Sequence, residues 1–313
     1  MRAAAPLTLF CLLAACPADG ALAATAAQAG DELQRLFAEG RATTTLDIDN
    51  DSLLLRNDDG LYTSGLRLSQ SFRLRSREGW RSAGWRVGQQ LYTARDASLR
   101  PEQLTAQDRP YAGWLYAGTF YRIEGTDGSE LAFGLDLGCL GPCAQGRVSQ
   151  EALHRLLSQP QPQGWASQLS NELGLVAHYG GRGPYYPLGP HADLRPGVAI
   201  RLGNIFTDLA GDLTLRVGDL RPSASEATVY GFFRAGVRAV AHDATLQGGW
   251  IGSETQRTVS PKRMTGELEA GLQWQWLRWA FRLSLVARSS EMRGVGYAAG
   301  GQEFLRLSIS YSP

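Results

Sequence analysis

Asn50, Asp51, Thr63 and His154 are the side chains whose types could do chemistry together. An amide, a carboxylate and a hydroxyl gathered at one place suit a hard cation such as calcium, or polarisation of a carbonyl oxygen. A neutral imidazole beside them is a general base for water, so the set fits hydrolysis of an ester. The stretch Thr43 to Gly65 also fits a plain Asx-rich hairpin turning through Asn57, Asp58, Asp59 and Gly60, and His154 also fits an exposed helical position. His178, His191 and His242 are weaker bases, the first within a strand, the second in an inner turn, the third opening a long loop without a recurring partner. Ser64, Ser69 and Ser290 are hydroxyls a histidine could activate. None stands in a Gly-x-Ser-x-Gly setting, which favours direct attack by water over an acyl-enzyme.

These residues need elements to carry them. Leu46, Ile48 and Asn50 alternate with Asp47, Asp49 and Asp51, the period-2 pattern of a strand with one apolar face. The next strand has Leu66, Leu68, Phe72 and Leu74 on one parity and Arg67, Ser69, Ser71 and Arg73 on the other. Alternation returns at Trp85–Tyr92, Leu115–Ile123, Leu131–Leu137, Leu173–Tyr179, Val198–Leu202, Leu213–Val217, Tyr230–Ala241, Leu268–Trp276, Phe281–Ala287 and Leu305–Tyr311, which makes twelve strands. A sandwich and a membrane barrel share this alternation. Long connections (51–61, 93–111, 139–169, 204–211, 242–264, 289–301) alternate with shorter ones, and the strand count is even. That combination predicts an all-β fold, a twelve-stranded antiparallel transmembrane β-barrel with a short helix in an extracellular loop. Trp114, Tyr116, Trp274, Trp276 and Trp279 are expected in interfacial aromatic girdles. The helix spans Arg147 to Leu157, with Val148, Leu153, Leu156 and Leu157 apolar and Gln150, Glu151, His154 and Arg155 polar. Too wide to thread a narrow barrel, it must lie over the rim or against the wall. Asn50 shares the parity of Leu46 and Ile48, the lipid-facing side, so His154 and Asn50 are expected on one edge.

Arg2, the apolar Leu7–Leu13 and Ala21-Leu22-Ala23 read as a signal peptide over residues 1–23, with Leu13-Ala14-Ala15-Cys16 an alternative lipoprotein box. Residues 24–42 form a leader, helical or flexible, and 43–313 the barrel domain. After the signal no apolar run reaches the roughly 20 residues of a spanning helix. The net charge of +1 gives no reason to expect nucleic acid. Cys139 and Cys143 are the cysteines left after the signal, and an oxidising compartment predicts a disulfide between them.

The motifs Asp49-Asn50-Asp51, Tyr62-Thr63-Ser64-Gly65 and Asp108-Arg109-Pro110-Tyr111-Ala112-Gly113-Trp114 resemble those of the LpxR-type lipid A 3′-O-deacylases, outer-membrane barrels of twelve strands. Gly141-Pro142, Gln150, His154-Arg155, Gly164-Trp165, Gln168, Asn171-Glu172, Leu202-Gly203-Asn204 and Arg288-Ser289-Ser290-Glu291 extend the likeness over nearly the whole chain. The resemblance implies calcium-dependent removal of the 3′ acyl chains of lipid A at the outer leaflet, with the active site facing the cell exterior. His154 matches the family's base. Asn50 is assigned to oxyanion support, Asp51 to calcium or to orienting the histidine, and Thr63 to the same polar shell as a calcium ligand. Arg95, with Arg100, stands where relatives carry basic residues, and Arg95, Arg109 and Tyr111 are assigned to substrate. Ser158 to Gln163 lacks the glutamate that follows the family's histidine, and the chain ends Tyr311-Ser312-Pro313 rather than in an aromatic residue. A non-enzymatic pore or binding barrel and a calcium-dependent outer-membrane phospholipase are the competing readings.

Overall fold

The computed structural model describes residues 19–51, 61–220, 227–250 and 257–313, with side chains from residue 29 onward. The signal segment to residue 18 and the turn through Asn57 to Gly60 lie outside the described residues. The alternating segments become β1 Arg41–Asn50, β2 Leu61–Ser76, β3 Gly79–Thr93, β4 Ala112–Gly125, β5 Glu130–Leu140 and β6 Glu172–Arg182. A two-residue β7, Tyr186–Pro187, precedes β8 Ala192–Gly203, β9 Phe206–Gly218, β10 Thr228–Asp243, β11 Met264–Trp276, β12 Trp279–Arg288 and β13 Gln302–Tyr311. Each long strand pairs antiparallel with the next, β1 pairs with β13, and β6 pairs past β7 with β8. The result is a closed cylinder of twelve long strands, with no open edge in the ring.

Register follows from the two faces. Asp47 stands opposite Arg67, whereas Leu46 and Ile48 stand opposite Leu68 and Leu66. A slip by one residue would turn every charge of β1 toward the apolar side. Leu66, Leu137, Leu173, Leu202, Leu272 and Leu283 point outward and are exposed, the apolar belt a bilayer requires. The inward face is ionic. Arg306 holds Asp49 at 2.8 and 2.9 Å, Arg86 holds Asp136, and Glu269 receives Arg234, Arg282 and Ser284. Each carboxylate taken out of water is matched by guanidinium donors, without which it would cost several kcal/mol.

Two expectations need correction. Trp114 and Tyr116 are not girdle residues: both face inward, stacked with centroids 6.0 Å apart and buried. Gly138 and Gly174 make room for Trp114, since a Cβ at either would run into its indole. Trp274, Trp276 and Trp279 do face outward, and with Phe281 and Tyr311 they form an aromatic run at the rim where the chain ends. The connection expected over 204–211 is only Asn204 and Ile205, because β9 begins at Phe206 with Asp208 turned into the lumen against Arg201 and Arg238. The carboxylate of Asp208 made the start of the strand read as loop.

Before the barrel, α1 runs Asp19–Glu39, so the leader is helical. It packs on the outside of the wall near the rim of short turns, with Phe37 edge-on to Phe72 at 5.1 Å and Tyr121 donating to Glu32. The disulfide Cys139–Cys143 is present, with Cα atoms 6.0 Å apart, and ties the end of β5 to the turn that leads into α2, Gly146–Leu156.

Candidate active site

Helix α2 is amphipathic with its polar stripe turned in. Gly146, Gln150 and His154, spaced by four residues, are the buried positions, while Val148, Leu156 and Leu157 are exposed, Leu156 by 80 %. A water-soluble helix would present the opposite face. The helix lies against the outside of the wall over β3 and β4. A side chain at Gly146 would meet Leu91 and Trp165, one at Gly113 would meet Ala144, and Gln89 donates to the Ala144 carbonyl at 2.7 Å. Gln89 stands opposite the outward Leu66, so this is the lipid side of the barrel.

His154 is 3 % exposed, and its Nδ1 lies 2.5 Å from the Pro160 carbonyl. A carbonyl only accepts, so the neutral ring carries its proton on Nδ1 and Nε2 is the basic nitrogen. A backbone oxygen in the segment that lacks the family's glutamate therefore sets the tautomer. Gln150, one turn earlier, accepts from the Trp165 indole at 2.7 Å, and Trp165 meets Tyr111 edge to face at 5.2 Å. Gly164 lets that ring close in, since a Cβ there would overlap Tyr111.

Asn50 and Asp51 end β1 and are buried, Asn50 standing opposite Ser64 on the outward face. Ser64 stands opposite Leu91, and the register shifts between Tyr62 and Ser64, so Thr63 is the bulged residue. The bulge turns the Thr63 hydroxyl to Thr93 at 2.8 Å. Asn50 is thus two strand spacings, about 10 Å, from the strand that α2 covers. Asn50 lies on the outward face at the end of β1, Asp51 and Thr63 are buried at the neighbouring strand ends, and His154 lies on the helix that covers β3 and β4 from outside.

The remaining expected residues take other places. Arg109 is 1 % exposed, with Nη1 2.5 Å from Glu291, Nη2 donating to Thr245 and the guanidinium 4.4 Å above the Tyr92 ring. Tyr111 is fully buried, and Leu169 donates to its carbonyl at 2.9 Å. Both are buried and hold connections together in this structure; the sequence reading assigned them to substrate. Arg95 is exposed and donates to the Ala298 carbonyl, joining the second long connection to the last. Burial disfavours charge on Glu291, but Arg109 and Arg288 prevail and hold its carboxyl down at about 2. His178 faces the lumen against Asp136 at 2.7 Å, and His242 sits between the Asn204 carbonyl and Gln247. Ser69 stands opposite Thr45 on the inward face, and the Ser290 hydroxyl lies by Met292.

Asp51, Asn50 and Thr63 offer oxygens of the kind calcium takes, fewer than its usual ~6–8. Among the described residues, no three of His, Cys, Asp and Glu gather closely enough to hold a metal ion. The donors fit calcium in kind and fall short in number. Sequence reasoning assigned no role to Gln150, Trp165, Thr93 or Pro160. The four-residue spacing of Gln150 and His154, and the place of Gln150 and Trp165 among the family-like motifs, were the signals available for them.

Comparison with known proteins agrees with this fold. No curated protein matches the sequence. Among solved structures, LpxR from Salmonella typhimurium superposes with a TM-score of 0.73 at 21 % identity, covering 87 % of this chain and 100 % of that one. The β domain of the Bordetella autotransporter BrkA gives 0.52 at 14 % identity over 88 % of this chain and 99 % of that one, which reflects the barrel alone. The family model described as outer membrane protein LpxR matches residues 7–312, and the chain belongs to that family.

Proposed function

We propose that the protein is a lipid A 3′-O-deacylase of the outer membrane, a carboxylic ester hydrolase whose rim of long connections faces the cell exterior. One observation carries the reading: His154, its Nδ1 committed to the Pro160 carbonyl, lies outside the barrel wall under a helix that shows leucines outward. A base so placed meets the ester of a lipid approaching within the membrane plane, not a solute passing through the lumen. His154 Nε2 takes a proton from water as the water oxygen bonds to the acyl carbonyl carbon. The Asn50 amide supports the oxyanion, and on collapse the proton passes from the imidazolium to the sugar oxygen as the acyl C–O bond breaks. Calcium beside Asp51 and Thr63 would polarise the same carbonyl. Membership of the LpxR family supports lipid A as substrate.

Mass spectrometry of lipid A from cells expressing the wild type or His154→Ala, with calcium or a chelator, tests this. The expected result is loss of 3′ acyl mass with wild type and calcium alone. Unchanged lipid A with fatty acid released from phospholipid vesicles would make the protein a phospholipase, and ion conductance with no lipid change would make it a pore.

A further inference from the structure

Inside the barrel, guanidinium outnumbers carboxylate. A cavity of about 490 Å³ runs along the lumen from Pro261 and Lys262, under the long connections, to Arg182, the last residue of β6 at the rim of short turns. Eight arginines and Lys262 line it against six acidic side chains, and Glu267, which Arg234 and Arg288 share, brings the acids to seven. The carboxylates are spread thin. Asp208 serves both Arg201 and Arg238, and Glu269 serves Arg234, Arg282 and Arg306. Arg182 has no ion pair among the described residues. It stands on β6 facing Arg282 on β12, five strands away round the ring of twelve, near enough for the two charges to repel. Arg282 keeps 34 % of its side chain open to the lumen, and Phe232 steadies its guanidinium from one face at 3.7 Å. Arg238 is likewise repelled by Arg201 and Arg288.

Like charges held on opposite walls of a narrow lumen repel, and an anion between them relieves the repulsion. Arginine forks match oxyanions in bidentate pairs. A carboxylate offers two oxygens in one plane and suits one fork, whereas a tetrahedral phosphate dianion offers oxygens to forks arriving from two walls at once. The cavity falls within the roughly 300–1,000 Å³ of ordinary small-ligand pockets. Leu246 lines its outer end and belongs to an apolar cluster with Leu61, Val259, Met292 and Val295, so protein covers that end. The wall around it is a closed ring of paired strands, which keeps lipid headgroups on the other side. We infer that the lumen is a binding site for a soluble phosphate or small phosphomonoester, which enters from the rim of short turns and is held between Arg182 and Arg282. The site is separate from the outer wall that carries His154 and does not depend on the hydrolase reading.

The test uses purified full-length wild type, Arg182→Gln, Arg282→Gln and Arg77→Gln in a neutral detergent with a calcium chelator, each confirmed as a folded barrel by its heat-modifiable migration in detergent gels. Arg182 has no ion pair to lose, so its replacement strands no carboxylate. Arg77 is an exposed arginine of the turn between β2 and β3, outside the luminal cavity, and serves as the control. Calorimetric titration with inorganic phosphate or glycerol 3-phosphate is expected to show one saturable site in wild type and in Arg77→Gln, with glycerol giving none. Affinity should be at least about tenfold weaker in Arg182→Gln and in Arg282→Gln. Phosphate should also raise the wild-type melting temperature above that in chloride of equal ionic strength, and should not do so for Arg182→Gln. Heat no larger than that from chloride, or equal affinity in all four proteins, overturns the proposal. Lipid A turnover by Arg182→Gln stays at the wild-type rate in either case, so the luminal site and the hydrolase reading fail separately.

Discussion

Replacing Leu156 by Ser separates a helix in lipid from a helix in water. Leu156 is 80 % exposed, next to Leu157 at the end of α2. Full transfer of a leucine side chain out of water is worth about 1.5–3 kcal/mol. Four-fifths of that, less the partial hydration expected at headgroup level, leaves roughly 1–2 kcal/mol for Leu156→Ser if the outer face of α2 meets acyl chains. In water the same substitution at an exposed position would fall within about 0.5 kcal/mol of neutral. The measurement is urea unfolding of the barrel in phospholipid vesicles, paired with a spin label at Leu156→Cys to compare collision rates with oxygen and with a water-soluble nickel complex. Loss of stability together with preferential collision with oxygen is expected. A neutral or stabilising Leu156→Ser with a water-like label would refute the view that α2 turns its apolar face to lipid.

Glu291→Gln is expected to remove one charged partner of buried Arg109 and lower the melting temperature at pH 7. Because the Glu291 carboxyl is held down from 4.5 to about 2, its contribution is fully present above about pH 5 and fades as pH falls toward the lower value. Melting curves between pH 7 and 3 should therefore fall for wild type and flatten for Glu291→Gln. Gly174→Ala should push Trp114 out of its seat and destabilise the barrel by about 1–3 kcal/mol, read from unfolding in urea. Cys139→Ser with Cys143→Ser removes a five-residue ring worth ~2 kcal/mol on loop entropy, and lipid A turnover should drop more than global stability because the ring anchors the turn before α2.

The barrel was legible because its signal is repeated: each long strand carries period 2, and inward charge and outward leucine rarely exchange places. Alternation does not say which face an aromatic takes, so Trp114 and Tyr116 read as girdle until the glycines of β5 and β6 showed the space they fill. The helix was visible from its period, and its polar stripe named His154 and Gln150 without revealing that the stripe faces the wall. The disulfide was legible from spacing and compartment. Pairings between distant segments, Thr63 with Thr93 or Gln150 with Trp165, exist only once connections converge, and no local pattern encodes them. The same holds for Arg109, whose partner Glu291 lies in the last long connection.

The most direct test of the central claim is lipid A turnover by purified His154→Asn. Asn can donate to the Pro160 carbonyl as His154 Nδ1 does, so the loop keeps its anchor while the basic nitrogen is lost. A folded His154→Asn barrel with 3′ acyl release reduced at least about 100-fold is the expected result. Release at the wild-type rate would contradict the account.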